Sequence, residues 1–379
     1  MLLTLDDYDA AARQRLPRAL YGFAANGSER GATVLANARS FERWALVPQT
    51  LVDVSSISQA CSIFGTTYAS PFGIAPMGGC ALFAYRADLG LGRAAHARRV
   101  PFVLSAASSV PLEQVMEAAP GTWYQGYVPG NDDRIARLLQ RLRAAKVPVL
   151  VLTVDVPVAS NRDRDRRLGF TVPLRPRASL AAGGLLHPRW LLGTFARTLF
   201  SDGIPRLPNF TGEATGLPII SAPPPGARSE RDRFTWEHVA TIRSAWGGVL
   251  VLKGILSAAD ARKAAALGVD GLIVSNHGGR QLDGAVAPLE VLPEIIDAAG
   301  QMPVCLDGGI RRGTDALKAL ALGARMVFVG RPMLYALAVG GQAGVEAAID
   351  ILGSEIAVSL ALLGSPSLGK LQRGHLRPA

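Results

Sequence analysis

Gly271-Leu272-Ile273-Val274 runs directly into Ser275-Asn276-His277-Gly278-Gly279-Arg280-Gln281-Leu282-Asp283. A short apolar run opened by glycine reads as a strand buried on both faces. The turn after it carries an imidazole, a guanidinium and two glycines. A proton acceptor beside an anion clamp, offered from one strand end, is what oxidation of a hydroxy acid requires. A lone His-Gly-Gly is only a polar turn, so the rest of the chain has to decide its meaning.

Working outward, similar apolar runs recur at Phe72–Ala75, Phe102–Leu104, Trp123–Val128, Val149–Val154, Val249–Leu252, Val304–Leu306 and Met326–Val329. Between most of them lies an alanine- or leucine-rich segment of helical pattern, such as Ala87–Arg98, Asp133–Ala145, Ala258–Leu267 and Thr314–Leu322. Eight strands alternating with helices describe an α/β fold, a (β/α)8 TIM barrel, better than an open doubly wound sheet. In such barrels the chemistry sits at the C-terminal strand ends. Those ends read Ala75-Pro76-Met77-Gly78, Ser105, Gln125 with Tyr127, Thr153 with Asp155, Lys253, Ser275 to Arg280, Asp307-Gly308-Gly309 and Gly330-Arg331. Nearly all are polar, glycine-rich or ionisable.

The chain of 379 residues is 49% hydrophobic and 18% charged, enough for one large barrel or two ordinary domains. The barrel pattern favours a single domain over 1–379: an N-terminal helical lid at 1–48, a barrel at 70–345, an insertion at 166–235 and a loosely packed tail at 364–379. A net charge of +10 suits acidic small molecules, phosphate-bearing cofactors or anionic lipid. Nucleic acid is disfavoured, because the arginines sit where phosphate or lipid explains them. Cys61, Cys80 and Cys305 form no Cys-x-x-Cys pair, which argues against a disulfide framework and against a zinc or iron–sulfur site. No signal peptide and no transmembrane helix are expected. The expected location is cytoplasmic, or peripheral at the inner face of the cell membrane.

The insertion breaks the alternation after the fourth strand. It holds Leu185-Leu186-His187-Pro188-Arg189-Trp190-Leu191-Leu192, then Phe195, Leu199 and Phe200, and the proline-rich Ser221-Ala222-Pro223-Pro224-Pro225-Gly226. Arg189, Arg197 and Arg206 among Trp190, Phe195 and Phe200 form a basic amphipathic stretch suited to an anionic membrane surface. A lid, or an oligomer contact that buries those aromatics, fits the same pattern.

The last two strands end in Asp307-Gly308-Gly309-Ile310-Arg311-Arg312-Gly313 and Gly330-Arg331. Glycines let backbone N–H groups approach a phosphate and arginines pair with its charge. No GxGxxG follows a strand, so a nicotinamide site of Rossmann type is not expected. Lys253 is a Schiff-base former, a charge facing an anionic group such as a flavin ring, or half of a structural ion pair. His277 and Asp155 leave different strand ends on one rim, where the carboxylate can orient the imidazole. Arg280 and Arg162 can clamp a carboxylate, and Tyr127 offers a hydroxyl. Arg162 also lies in the alternating run Asn161-Arg162-Asp163-Arg164-Asp165-Arg166-Arg167, a pattern usual for a solvated loop.

The His277 turn, Trp123-Tyr124-Gln125-Gly126-Tyr127-Val128, Leu152-Thr153-Val154-Asp155 and Asp307-Gly308-Gly309-Ile310-Arg311-Arg312-Gly313-Thr314-Asp315 together resemble the FMN-dependent α-hydroxy acid dehydrogenase/oxidase family. The likeness extends from Leu16-Pro17 to about Gly344. The insertion most resembles that of membrane-associated (S)-mandelate and L-lactate dehydrogenases. The resemblance implies FMN as cofactor, a 2-hydroxy acid as substrate and a homotetramer. His277 would be the base, with Asp155 behind it, Arg280 and Arg162 on the carboxylate and Tyr127 on the α-oxygen. Lys253 would lie by flavin N1 and O2. Gln125, Thr153, Ser105 and Ser275 would line the ring, and Ala75, Pro76, Met77 and Gly78 would pass its N5 edge. Asp307, Gly309, Arg311, Gly330 and Arg331 would hold the phosphate.

Two positions depart from the pattern. Phe23 stands where the family usually has a tyrosine that reaches the carboxylate, a loss worth about 1–2 kcal/mol. Ala107 stands where glycolate oxidase carries a tryptophan, which enlarges the pocket for aryl or long-chain acids. The expected reaction is FMN-dependent oxidation of an (S)-2-hydroxy acid, mandelate-like or lactate, to the 2-keto acid, with electrons passed to a quinone. An oxygen-using oxidase is the nearer alternative. A flavin-dependent isomerase and a non-catalytic, membrane-associated flavin-binding scaffold are the more distant ones.

Overall fold

Runs rich in valine, leucine and isoleucine, buried on both faces, form the strands of a parallel barrel. The computed structural model describes residues 1–171, 173–175, 177–210, 216–221 and 229–379. Its barrel strands are β1 (Phe72–Ile74), β2 (Val103–Ser105), β3 (Trp123–Gly126), β4 (Val149–Thr153), β5 (Val249–Ile255), β6 (Gly271–Val274), β7 (Val304–Asp307) and β8 (Met326–Val329). They lie in the order β1-β8-β7-β6-β5-β4-β3-β2, each pair parallel. A parallel bridge from Ile74 to Phe102 joins β1 to the approach of β2 and closes the ring. Because every strand runs the same way, all eight C-terminal ends meet on one rim.

The barrel interior is filled from below by Val103, Trp123, Val151, Val251, Ile273, Cys305, Met326 and Phe328. A hairpin of Cys61–Ile63 and Thr66–Tyr68 closes this floor, and the Tyr68 hydroxyl accepts the Trp123 indole N–H at 3.2 Å. Helices pack outside. The last of them runs from Arg331 to Leu362 with a break at Gly341, and so extends well past residue 345.

The N-terminal 43 residues form helices Leu5–Arg15, Arg18–Ala25 and Ala32–Arg39 and a single turn at Ser40–Arg43. Thr4 and Asp7 make a reciprocal capping box at the start of the first. The segment is laid against the His277 turn. Asn37 and Asn276 exchange amide hydrogen bonds at 2.7 and 2.8 Å, and the Asp283 carboxylate accepts the Thr33 N–H at 3.0 Å. Gly279 allows this approach, since a Cβ there would stand 2.7 Å from the Val34 nitrogen, and Gly309 lets the loop after β7 come close as well, where a Cβ would stand 2.3 Å from the Asn37 carbonyl oxygen.

The end of the chain corrects the expectation of a loose tail. Leu376–Pro378 pairs antiparallel with Trp44–Leu46, and Ser365, His375 and Leu376 are buried. Backbone pairing and an apolar anchor fix it, and neither is visible as a periodic pattern in so short a stretch.

Within the insertion, helices cover Ala178–Leu185, Pro188–Trp190 and Arg197–Asp202, with a π-helical stretch at Leu191–Ala196. Trp190 is buried, not displayed with the other apolar residues; its indole N–H donates to the Leu82 carbonyl at 2.8 Å. Arg86 and Asp202 add a two-contact ion pair at 2.9 and 3.2 Å. The proline-rich run after Ser221 lies outside the described residues.

Asp88, at the start of the helix Ala87–Ala97, is buried beneath the β2 loop and accepts the Ser109 N–H at 3.2 Å. Burial pushes its pKa up to about 6, against opposing hydrogen bonds from Ser108, Ser109 and Val110. A raised acid binds a proton in the folded state that the unfolded chain has already lost, so its contribution is full below its ordinary value and disappears as pH rises through about 6. Asp88→Asn is therefore expected to flatten the decline in thermal midpoint between about pH 4 and 7, by up to about 3 kcal/mol of stability. Thermal scans of the two proteins at a series of pH values check this.

Candidate active site

The site is built from strand ends that the barrel brings to one rim. Lys253, at the end of β5, is buried, with its ammonium 2.8 Å from the Asp307 carboxylate of β7 and 2.9 Å from the Ser275 hydroxyl after β6. Ser275 donates to Asp307 at 3.1 Å and accepts the His277 N–H at 3.0 Å. Burial alone would lower the Lys253 pKa, but the charges of Asp307 and Asp155 outweigh it and the net shift is upward. The lysine is a fixed cation bearing on the cavity.

His277 sits at φ +60°, a left-handed conformation that costs a β-carbon residue energy and is typical of functional turns. Asn276 holds the turn by accepting the Gly279 N–H at 3.0 Å. His277 Nδ1 lies 3.0 Å from Asp155 Oδ1, and its Nε2 lies 3.4 Å from the Tyr127 hydroxyl. Gly254 makes room for the carboxylate: a Cβ there would fall 2.7 Å from the Asp155 side chain. Burial pushes the Asp155 carboxyl up, yet the charge and hydrogen bond of His277 and the charge of Lys253 hold it below the ordinary range. The pair thus places an ionised carboxylate behind an imidazole whose Nε2 faces the cavity side.

Three guanidiniums gather beside it. Arg280 Nη1 donates to the carbonyls of Phe23 at 2.6 Å, Asn26 at 3.2 Å and Ala24 at 3.3 Å. Arg331 Nε donates to Ala24 O at 2.9 Å. Arg162 pairs with the buried Asp165 at 3.0 Å and donates to the Arg280 carbonyl at 3.1 Å. Burial, then mutual repulsion with Arg162 and Arg331, pushes Arg280 well below its usual value; burial brings Arg331 down to about 10. Guanidiniums do not give up their protons, so these shifts mean an unmet demand for negative charge. The Phe23 ring lies under two of them, 4.9 Å from Arg280 and 5.9 Å from Arg162, and stacks on Phe170 at 4.3 Å.

A cavity of about 340 Å³ opens between these groups. Most of the residues singled out in the sequence line it: Ala75 to Gly78, Gln125, Tyr127, Thr153, Lys253, His277, Arg280, Asp307, Gly309, Arg311, Gly330 and Arg331, with Phe23 and Ala107. Ser105, Ser275, Asp155 and Arg162 do not; they stand one layer behind and hold Gln125, Lys253, His277 and the Arg280 backbone. The roof is the lid that the insertion's pattern allowed, but it is made by residues the sequence did not single out. Phe170, Leu174, Leu207, Phe210, Leu217 and Ile219, all from the insertion, line the cavity opposite the strand ends. Asn37 and Asn276 were also missed as supports, though Asn276 lies inside the quoted turn.

Among the described residues, Gln125 Nε2, Thr153 Oγ1 and Arg331 Nη2 are buried without a hydrogen-bond partner. Such groups are costly unless something satisfies them. An amide donor and a hydroxyl at the β3 and β4 ends, a fixed ammonium on the adjacent β5 and an open guanidinium beside glycine loops fit a planar heterocycle with a phosphate tail.

Residues 12–378 match the family described as FMN-dependent dehydrogenase. This chain belongs to that family. It is 37% identical over 377 residues to (S)-mandelate dehydrogenase of Pseudomonas putida, covering 99% of this chain and 94% of the relative. It is 37% identical over 378 residues to L-lactate dehydrogenase of Azorhizobium caulinodans, covering 98% and 97%. The solved structure of the monotopic membrane protein (S)-mandelate dehydrogenase superposes with a TM-score of 0.93 over all of both chains at 37% identity. The fold is the TIM barrel of those dehydrogenases, and the cofactor of the family is FMN.

The buried Lys253–Asp307 pair gives a direct test. Lys253→Met leaves Asp307 buried beside a thioether and is expected to cost about 3–5 kcal/mol. Adding Asp307→Asn removes the stranded charge and regains part of that loss. Thermal scans of the single and double variants measure both steps.

Proposed function

We propose that this protein oxidises an (S)-2-hydroxy acid with a bulky apolar or aryl substituent to the 2-keto acid, and passes the electrons to a membrane quinone. The observation that carries the reading is the His277–Asp155 pair at 3.0 Å, with Tyr127 and Arg280 lining the same cavity. FMN, when bound, supplies the two-electron sink. His277 Nε2 takes the proton released by the substrate, and Asp155 stabilises the resulting imidazolium. Arg280 holds the substrate carboxylate, with Arg162 fixing it from behind through its carbonyl. Tyr127 donates to the α-oxygen. Lys253, Gln125 and Thr153 hold the flavin ring, with the backbone of Ala75 to Gly78 along its edge. Gly309, Arg311, Gly330 and Arg331 would hold the phosphate end, with Asp307, held by Lys253 and Ser275, beside them rather than on the phosphate.

The substrate class follows from the roof. Leu174, Leu207, Phe210, Leu217 and Ile219 face the cavity with Phe23, Met77 and Ala107, so a large apolar substituent is desolvated there while a small polar one is not. The small side chain of Ala107 leaves this side open. Pseudomonas putida (S)-mandelate dehydrogenase, similar over nearly the whole chain, points the same way.

The quinone reading rests on the insertion. Leu185, Leu186, Leu192, Phe195, Leu199 and Phe200 are exposed on its helices, while Trp190 anchors them to the barrel. Among the described residues no helix is long and apolar enough to cross a membrane. An exposed apolar patch on a chain of net charge +10 suits attachment to the surface of an anionic bilayer.

Anaerobic mixing with a panel of (S)-2-hydroxy acids should bleach the bound flavin with mandelate-like acids faster than with glycolate. In Asp155→Asn the bleaching should slow by roughly 10²–10⁴ with flavin still bound. Flavin that no hydroxy acid bleaches would sink the reading, and rapid return of colour in air would replace the quinone with oxygen. In a separate assay, sedimentation with anionic vesicles should carry the native protein down. The double variant Leu186→Asp, Phe200→Asp should stay in solution with its flavin reduction intact.

A further inference from the structure

Tyr127 follows β3 at the cavity wall, and three groups surround its ring. His277 lies on one side, with Nε2 3.4 Å from the hydroxyl. Phe210 tilts against it at 6.3 Å between centroids. The third is Arg231, whose guanidinium stands 5.4 Å from the ring centroid. Phe210 and Arg231 both come from the insertion, so the segment that roofs the cavity also grips its phenol.

Arg231 is placed by fastenings that join its own segment to the loop carrying Tyr127. The neighbouring Glu230 carboxylate pairs with Arg134 at 3.1 Å, and Arg134 belongs to the helix Asp132–Ala144 that follows β3. The Glu230 carbonyl accepts the Gly130 N–H at 2.8 Å. The two backbones are so close that a Cβ on Gly130 would lie 2.7 Å from the Arg233 carbonyl oxygen. An arginine carried on a casual surface turn would have no such seating.

We propose that Arg231 is a positioning residue that acts through Tyr127: its guanidinium, seated on the ring, keeps the phenol against His277 and strengthens it as a donor to the substrate's α-oxygen. A cation over an aromatic ring is attracted to the π-face and draws electron density from it. That favours the hydrogen-bond donor needed as charge develops on the α-oxygen. The phenol stands in a mixed field. Burial raises its pKa, Lys253 lowers it, Asp155 raises it, and Arg231 and Arg280 lower it, with His277 at its hydroxyl. Arg231 is the cation in that set that the insertion supplies. The inference rests on the hydroxy-acid reading for its catalytic consequence, but not for the link between Arg231 and the phenol.

The test uses the FMN-loaded enzyme in four forms: native, Arg231→Met, Tyr127→Phe and the double variant, with Arg231→Lys as the conservative replacement. Arg231→Met should slow flavin reduction by a saturating hydroxy acid roughly tenfold. It should have no further effect when Tyr127 is already phenylalanine, and Arg231→Lys should restore most of the rate. Without substrate, protein labelled at the tyrosine ζ-carbon reports the phenol by NMR, the Tyr127 signal being the one lost in Tyr127→Phe. Its titration should move to higher pH in Arg231→Met. An equal slowing in both Tyr127 backgrounds, or an unmoved titration, overturns the proposal. If no hydroxy acid reduces the flavin in any form, the functional reading fails, and the titration still decides the Arg231–Tyr127 link.

Discussion

The buried ion pair of Lys253 and Asp307, bridged by the Ser275 hydroxyl, ties the ends of β5, β6 and β7 together. Two charges out of water are stable only when matched and hydrogen-bonded, so this contact fixes the three strand ends in relation to one another. Ser275 also accepts the His277 N–H, which carries the constraint into the strained turn. The position of the imidazole, and with it the distance to Asp155, is inherited from that pair.

Around this frame the site is assembled with an imbalance of charge. Arg162, Arg280 and Arg331 crowd together, and one buried nitrogen on each of Arg162 and Arg331 has no partner among the described residues. The N-terminal segment holds two of them in place by offering backbone carbonyls from Phe23, Ala24 and Asn26. Carbonyls orient a guanidinium without neutralising it. The cavity therefore presents unmet positive charge at two places, beside the glycine loops of β7 and β8 and near Arg280, where the proposed reading puts the phosphate and the carboxylate.

The insertion does more than one task with a single stretch of chain. Its outward residues, including Leu186 and Phe200, are exposed, while its inward residues roof the cavity. Trp190 and the Arg86–Asp202 pair lock it to the segment that follows β1. Leu82, whose carbonyl accepts the Trp190 indole N–H, also lines the cavity.

How much of this was legible in the chain follows from what each feature depends on. The eight buried strands and their polar ends were, because a strand buried on both faces leaves a local apolar run whatever its neighbours are. The His277 turn, the glycine- and arginine-bearing loops after β7 and β8 and the family were legible in residue identities alone, and Arg162 was ambiguous because alternating charge looks alike in a solvated loop and in one that buries Asp165. Tertiary structure decided the rest. It brought Asp155 after β4 to His277 after β6, set Ser105 and Ser275 behind the cavity instead of in it, and packed the end of the chain through Leu376. It also turned Trp190 inward and made a roof of Leu174, Leu207, Phe210, Leu217 and Ile219. The physical reason is range. Periodicity and turn chemistry are set by neighbours in sequence, whereas those meetings exist only once the barrel has closed and the insertion has folded back over its rim.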